Sequence, residues 1–70
     1  MLLSERLKEL RKKRSLTQVQ VASATEMAER AYQRLEAGHK PSHDNLIALA
    51  DYFDVSLDYL VGRSDEPERR

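Results

Sequence analysis

Four side chains carry the most chemistry in this chain: Glu29, Arg30, Gln33 and Arg34. At about 100° per residue of helix they fall within roughly 140° of one another, while Ala28, Ala31, Tyr32 and Leu35 fall within roughly 100° on the other side. Such a helix has one face for packing and one for something outside. Two guanidiniums, an amide and a carboxylate are groups that can address base edges and phosphates in a major groove: Arg to guanine O6 and N7, Glu to the cytosine N4 amine. A solvated surface helix is charged in the same way, so this face takes its meaning from the rest of the chain.

Other constellations fail on geometry. His39 and His43 are four apart, a spacing that could hold a metal on one helical face, but Pro41 between them interrupts such a face. Ser42-His43-Asp44 has the residue types of a nucleophilic triad, yet triad members converge from separate parts of a chain, and three successive residues at a helix start point apart. There is no Cys and no glycine-rich phosphate loop. No catalytic residue, metal ligand or cofactor is expected, and the chain does not read as an enzyme.

The elements that would present the charged face are legible around it. Thr17 and Gln20 have the spacing of a capping box, which predicts a helix from Gln18. A second helical period opens at Ala28, and Gly38 is placed to close it in a left-handed cap. Upstream, Leu3, Leu7 and Leu10 form an apolar stripe behind Ser4 as N-cap, with Lys12, Lys13 and Arg14 in the last turn, where cations complement the helix dipole or contact phosphate. Leu16 precedes the Thr17 cap in the position of a hydrophobic staple. Downstream, Ser42 caps a helix whose stripe is Leu46, Leu49, Ala50 and Phe53, and Ser56 begins a last short helix ending at Gly62. Residues 64–70 are charged, contain Pro67, and read as a disordered tail.

Seventy residues allow one domain, near the size at which a lone core contributes only a few kcal/mol; association with a second copy would help. The absence of Cys fits a reducing cytoplasm. Met1-Leu2-Leu3 is followed at once by Ser4-Glu5-Arg6, so no secretory apolar segment is expected, and Leu46 to Ala50 is far short of a membrane span. Lys and Arg balance Asp and Glu at 12 each, which argues at first against a polyanionic partner. The distribution is uneven, however: residues 1–43 hold nine basic against five acidic side chains, residues 44–70 three against seven. A neutral total can therefore present a positive face.

Leu7-Lys8-Glu9-Leu10-Arg11, Leu16-Thr17-Gln18, Leu35-Glu36-Ala37-Gly38, Lys40-Pro41-Ser42 and the run from Leu46 to Leu60 together resemble the phage-repressor and Cro-type helix-turn-helix family, also called the xenobiotic-response-element family. The resemblance covers residues 4 to 63 and rests on the order and spacing of the motifs. It implies an all-α, five-helix, lambda-repressor-like DNA-binding domain over residues 1–63, with the helix-turn-helix at helices 2 and 3.

The same resemblance implies roles. Glu29, Arg30, Gln33 and Arg34 would read bases, with Ala28 beside them. Thr17, Gln18, Lys40, Ser42 and His43 would contact phosphates, Gln18 foremost, at a helix N-terminus suited to anions. Arg11 and Glu36 would form a salt bridge tying the first helix to the end of the third. Leu57, Tyr59, Leu60 and Val61 would pack against a second subunit, giving a homodimer that binds a palindromic operator of duplex DNA and represses transcription. The alternative is an antitoxin that shares this fold, neutralises a small protein partner and regulates its own operon. Two positions depart from the family pattern: Glu26 stands where Gly is common and Ala28 where Ser or Thr caps the third helix, each departure costing on the order of 1 kcal/mol. The loop Ala37 to Pro41 is about one residue shorter than the usual form.

Overall fold

The computed structural model describes residues 2–68. Five α-helices and no strand are found among them: α1 (Leu3–Lys13), α2 (Gln18–Ala24), α3 (Glu29–Glu36), α4 (His43–Phe53) and α5 (Leu57–Leu60). The all-α, five-helix expectation holds, with α2 and α3 packed against each other as the helix-turn-helix.

Helix starts follow local chemistry. The Thr17 hydroxyl accepts from the Gln20 N–H at 3.1 Å while Gln20 Oε1 accepts from the Thr17 N–H at 2.8 Å, completing the capping box. Ser42 and Ser56 cap α4 and α5 by accepting from the Asn45 and Tyr59 N–H groups. Ser4 does not cap α1. The helix begins two residues earlier than a Ser4 cap implies, at Leu3 with Leu2 as the N-cap residue, because Glu5 Oε1 accepts from the Leu2 N–H at 3.0 Å and satisfies a donor ahead of the first turn.

Every helix ends in the same way. Ser15, Glu26, Gly38, Asp54 and Gly62 each adopt positive φ just beyond a helix. The residue after each donates back into the last turn: Leu16 to Arg11 O, Met27 to Ala22 O, His39 to Arg34 O, Val55 to Ala50 O and Arg63 to Asp58 O, at 2.8–3.1 Å. These bonds satisfy terminal carbonyls and turn the chain sharply. Three of the five left-handed positions are not glycine.

The core gathers Leu7 and Leu10 from α1, Val21 and Ala22 from α2, Tyr32 and Leu35 from α3, Leu49, Ala50 and Phe53 from α4, and Tyr59 and Leu60 from α5, with Met27 and Val55 from the turns. Burial of each large side chain contributes about 1.5–3 kcal/mol. Met27 enters the core from the α2–α3 turn, as its apolar type suggests, and so sets the angle at which α3 leaves.

Two arginines act as struts. Arg6 is buried; its guanidinium lies 3.7 Å from the centroid of the Tyr59 ring, and its Nε donates to Tyr59 O at 3.1 Å. Arg14 donates to Tyr52 O at 3.3 Å and Phe53 O at 2.6 Å, the free carbonyls at the end of α4. Of the basic end of α1, only Lys12 and Lys13 are left facing solvent without such a task.

The segment expected as a tail carries no helix among its described residues, 64–68. It folds back: Ser64 O accepts from Arg6 Nη2 at 3.4 Å, and Pro67 O accepts from the Ser56 N–H at 3.0 Å. Arg69 and Arg70 lie outside the described residues. No described helix is long and apolar enough to cross a membrane.

Candidate nucleic-acid interface

The surface of interest begins with α3. Its inner face is anchored by Tyr32 and Leu35, which are 0% and 4% exposed, and this orients the outer face without ambiguity. Glu29, Arg30, Gln33 and Arg34 are all exposed, as helical spacing requires. Glu29 and Gln33 are paired along the helix, Gln33 Nε2 donating to Glu29 Oε1 at 3.3 Å. This pairing leaves the Gln33 carbonyl oxygen and the second Glu29 oxygen outward as acceptors. The side chains of Arg30 and Arg34 make no hydrogen bond or ion pair within the described residues, so their guanidinium forks are available to an outside acceptor.

The Ala28 N-cap has no side-chain hydrogen bond, as its type dictates. The first turn of α3 thus has no side-chain cap, and it carries the Glu29 carboxylate, which the helix dipole favours there.

At the other end of α3, Glu36 is the centre of a buried polar cluster. Arg11 Nε donates to Glu36 Oε2 at 2.7 Å and Arg11 Nη2 to Glu36 Oε1 at 3.0 Å, a two-pronged pair with the carboxylate 2% exposed. Arg11 Nη1 also donates to Leu16 O at 3.0 Å. The geometry is that of the expected salt bridge, and it joins the end of α1, the α1–α2 loop and the end of α3. Burial by itself would push the Glu36 carboxyl up, but the hydrogen bonds it accepts, led by that of Arg11, hold it below its ordinary value. The same contact raises Arg11 further. The fully enclosed Tyr32 hydroxyl, beside this cluster, has no hydrogen-bond partner of good geometry, and burial pushes its ionisation well up.

Gln18 extends the cluster to the surface. Half-buried at the first position of α2, it donates from Nε2 to Glu36 Oε1 at 3.1 Å. Thr17 beside it is exposed; its oxygen accepts the cap bond while its O–H remains a donor. Lys40, Ser42 and His43 are exposed between α3 and the start of α4, directly after the turn closed by Gly38. Among the described residues no group of three His, Asp or Glu side chains could hold a metal ion.

The residues expected at a subunit contact separate into two kinds. Tyr59 and Leu60 are 7% and 0% exposed, consumed by the chain's own core, where Arg6 covers the Tyr59 ring. Leu57 is 41% exposed and Val61 half-buried, so these two have surface to offer. Sequence reasoning missed Arg6 and Arg14 as structural groups. Their partners are 53 and 38 or 39 residues away and include main-chain carbonyls, which no residue type announces.

Residues 7–60 match the family model described as helix-turn-helix. The chain is 42% identical over 65 residues to an uncharacterised HTH-type transcriptional regulator, YobD, of Bacillus subtilis, covering 91% of this chain and 58% of that protein. It is 36% identical over 64 residues to the cryptic phage CTXphi transcriptional repressor RstR of Vibrio cholerae, covering 90% of this chain and 57% of that protein. A transcriptional regulator from Listeria innocua, solved by crystallography, superposes with a TM-score of 0.79 at 36% identity, covering 86% of this chain and 57% of that one. The chain therefore spans little more than half the length of the relatives it matches.

Proposed function

The chain belongs to the helix-turn-helix family, and on that premise we propose that it binds duplex DNA sequence-specifically through α3 and regulates transcription as a repressor. The observation that carries this reading is the outer face of α3: two unpartnered guanidiniums beside a Glu–Gln pair, on a helix whose other face is locked into the core. Arg30 and Arg34 are suited to guanine edges and Glu29 to cytosine N4, with Gln33 a further amide at the base edges. Thr17, Gln18, Lys40, Ser42 and His43 would fix the register through phosphates, which carry position but little sequence information.

In this proposal the active form is a homodimer. Leu57 and Val61 supply the apolar surface left over at α5, and a small core gains from association. Two-fold symmetry then calls for a palindromic operator with half-sites about 34 Å apart, one turn of duplex. The neutral net charge implies modest nonspecific affinity and strong salt dependence. The antitoxin alternative gains no support from the relatives, which are named as transcriptional regulators.

Selection of bound duplexes from a random library at near-physiological salt, with the protein's mass in solution recorded alongside, tests the reading. A palindrome bound by a dimer supports every part of it. A non-palindromic motif bound by a monomer removes the dimer, and recovery of no motif removes sequence-specific binding.

A further inference from the structure

Gln18 is more than an exposed amide at a helix start. Its Nε2 donates to Glu36 Oε1 at 3.1 Å, and the carboxylate it meets is itself immobilised by the two-pronged Arg11 pair, at 2.7 and 3.0 Å. A carboxylate only accepts, so this contact selects one orientation of the amide, nitrogen toward Glu36. An amide nitrogen carries two hydrogens. One is taken by Glu36 and the other remains for an acceptor outside the protein. A Gln on an open surface would explore its rotamers and both amide flips, and ordering so long a side chain costs rotamer freedom. Here the ordering precedes any ligand.

We infer that Glu36 is a positioning residue for the phosphate contact at the start of α2: it holds Gln18 Nε2 so that its second N–H meets a backbone phosphate oxygen of bound duplex. The inference rests on the DNA-binding reading above. Arg11 completes the arrangement by cancelling the Glu36 charge, which would otherwise repel the phosphate that Gln18 is oriented to receive. The buried pair thus serves the surface as well as the fold, and the route from α1 to the DNA runs Arg11, Glu36, Gln18.

A double-mutant cycle on the duplex recovered by selection tests this. Gln18→Ala and Glu36→Gln, each checked for helicity, are expected to weaken binding about tenfold, a charge-assisted hydrogen bond's worth, on all sequences alike. The double variant is expected to bind no worse than the weaker single one. Losses that multiply would overturn the inference. Should Glu36→Gln fail to fold, the pair is replaced together as Arg11→Met with Glu36→Met, an exchange that buried ion pairs commonly tolerate. In that background Gln18→Ala is expected to cost less than twofold, and a full tenfold loss would overturn the inference. In the DNA-free protein, the two Gln18 side-chain amide protons are expected to be widely split in NMR spectra and to converge in the pair-replaced variant. A wild-type protein that shows this splitting yet binds no duplex would sink the DNA-binding reading and the inference with it, while leaving the Glu36 contact standing.

Discussion

The guanidinium of Arg14 donates to the carbonyl oxygen of Phe53 at 2.6 Å and lies over the ring of the same residue, 5.2 Å from its centroid. One cation thereby closes the C-terminal end of α4 and covers the aromatic that anchors that helix in the core. It sits where the negative end of the α4 dipole favours positive charge.

Arg14→Met keeps most of the stem over Phe53 and removes the donors. It is expected to destabilise the fold by about 1 kcal/mol, less than the roughly 1.5–3 kcal/mol of a charge-assisted bond because the site is partly open to water. That corresponds to a fall in Tm of roughly 4–8 °C for a domain of this size. The slope of log affinity against log salt for DNA is expected to stay unchanged. A slope shallower by about one would identify Arg14 as a phosphate contact instead.

Arg30→Ala tests base reading. Specific affinity is expected to fall by about 1–3 kcal/mol and preference to relax at one base pair. Repeating the duplex selection with the variant measures both. An equal loss on every sequence would assign Arg30 to a phosphate.

The α2–α3 turn carries two local costs that can be relieved. Glu26 holds φ 58, a left-handed conformation that favours glycine, and Ala28 caps α3 without a side-chain bond. Glu26→Gly is expected to stabilise by up to about 1 kcal/mol, the local relief being offset in part by the unfolded chain's added freedom. Ala28→Ser is expected to add about 0.5–2 kcal/mol by capping. Chemical denaturation of the two single variants and their combination measures this; a loss of stability in Glu26→Gly would show that the Glu26 side chain contributes something its exposure does not reveal.

The Tyr32–Glu36 neighbourhood predicts two pH limits. Tyr32 ionises at higher pH folded than unfolded because burial disfavours the phenolate. Its contribution is therefore present below the ordinary tyrosine value near 10 and is lost as pH rises beyond it. Glu36 is shifted the other way, so its contribution is present above the ordinary carboxylate value near 4.5 and is lost as pH falls through its lower folded value. Tyr32→Phe is expected to change stability little at neutral pH, since the removed hydroxyl has no well-aligned partner, and to flatten the alkaline limb. Denaturation midpoints across pH 3 to 11 check both; an unchanged alkaline limb in Tyr32→Phe would place the sensitivity elsewhere.

Much of the site was readable before the fold was known, for a local reason. Helical spacing puts Glu29, Arg30, Gln33 and Arg34 opposite Tyr32 and Leu35 wherever the helix ends up, and the Thr17–Gln20 box needs only three residues to start α2. The Arg11–Glu36 pairing was reached through the family resemblance, and nothing in the spacing of those two residues states it.

What only the tertiary structure decided involves main-chain acceptors and competition for surface. Ser15, Glu26 and Asp54 turn left-handed where the apolar residue that follows each, Leu16, Met27 or Val55, returns to pack in or against the core, and no intrinsic preference of Ser, Glu or Asp requires it. Arg6 and Arg14 end at carbonyls of α5 and α4, which exist as free acceptors only once those helices stop beside α1. Tyr59 and Leu60 look as available as Leu57 in the sequence, since a short segment with four apolar residues in five, Leu57 to Val61, does not say which side its own chain will cover. Gln18 looks like a lone surface amide until α3 brings Glu36 beneath it, because a hydrogen bond between residues 18 apart is made by packing and by nothing local.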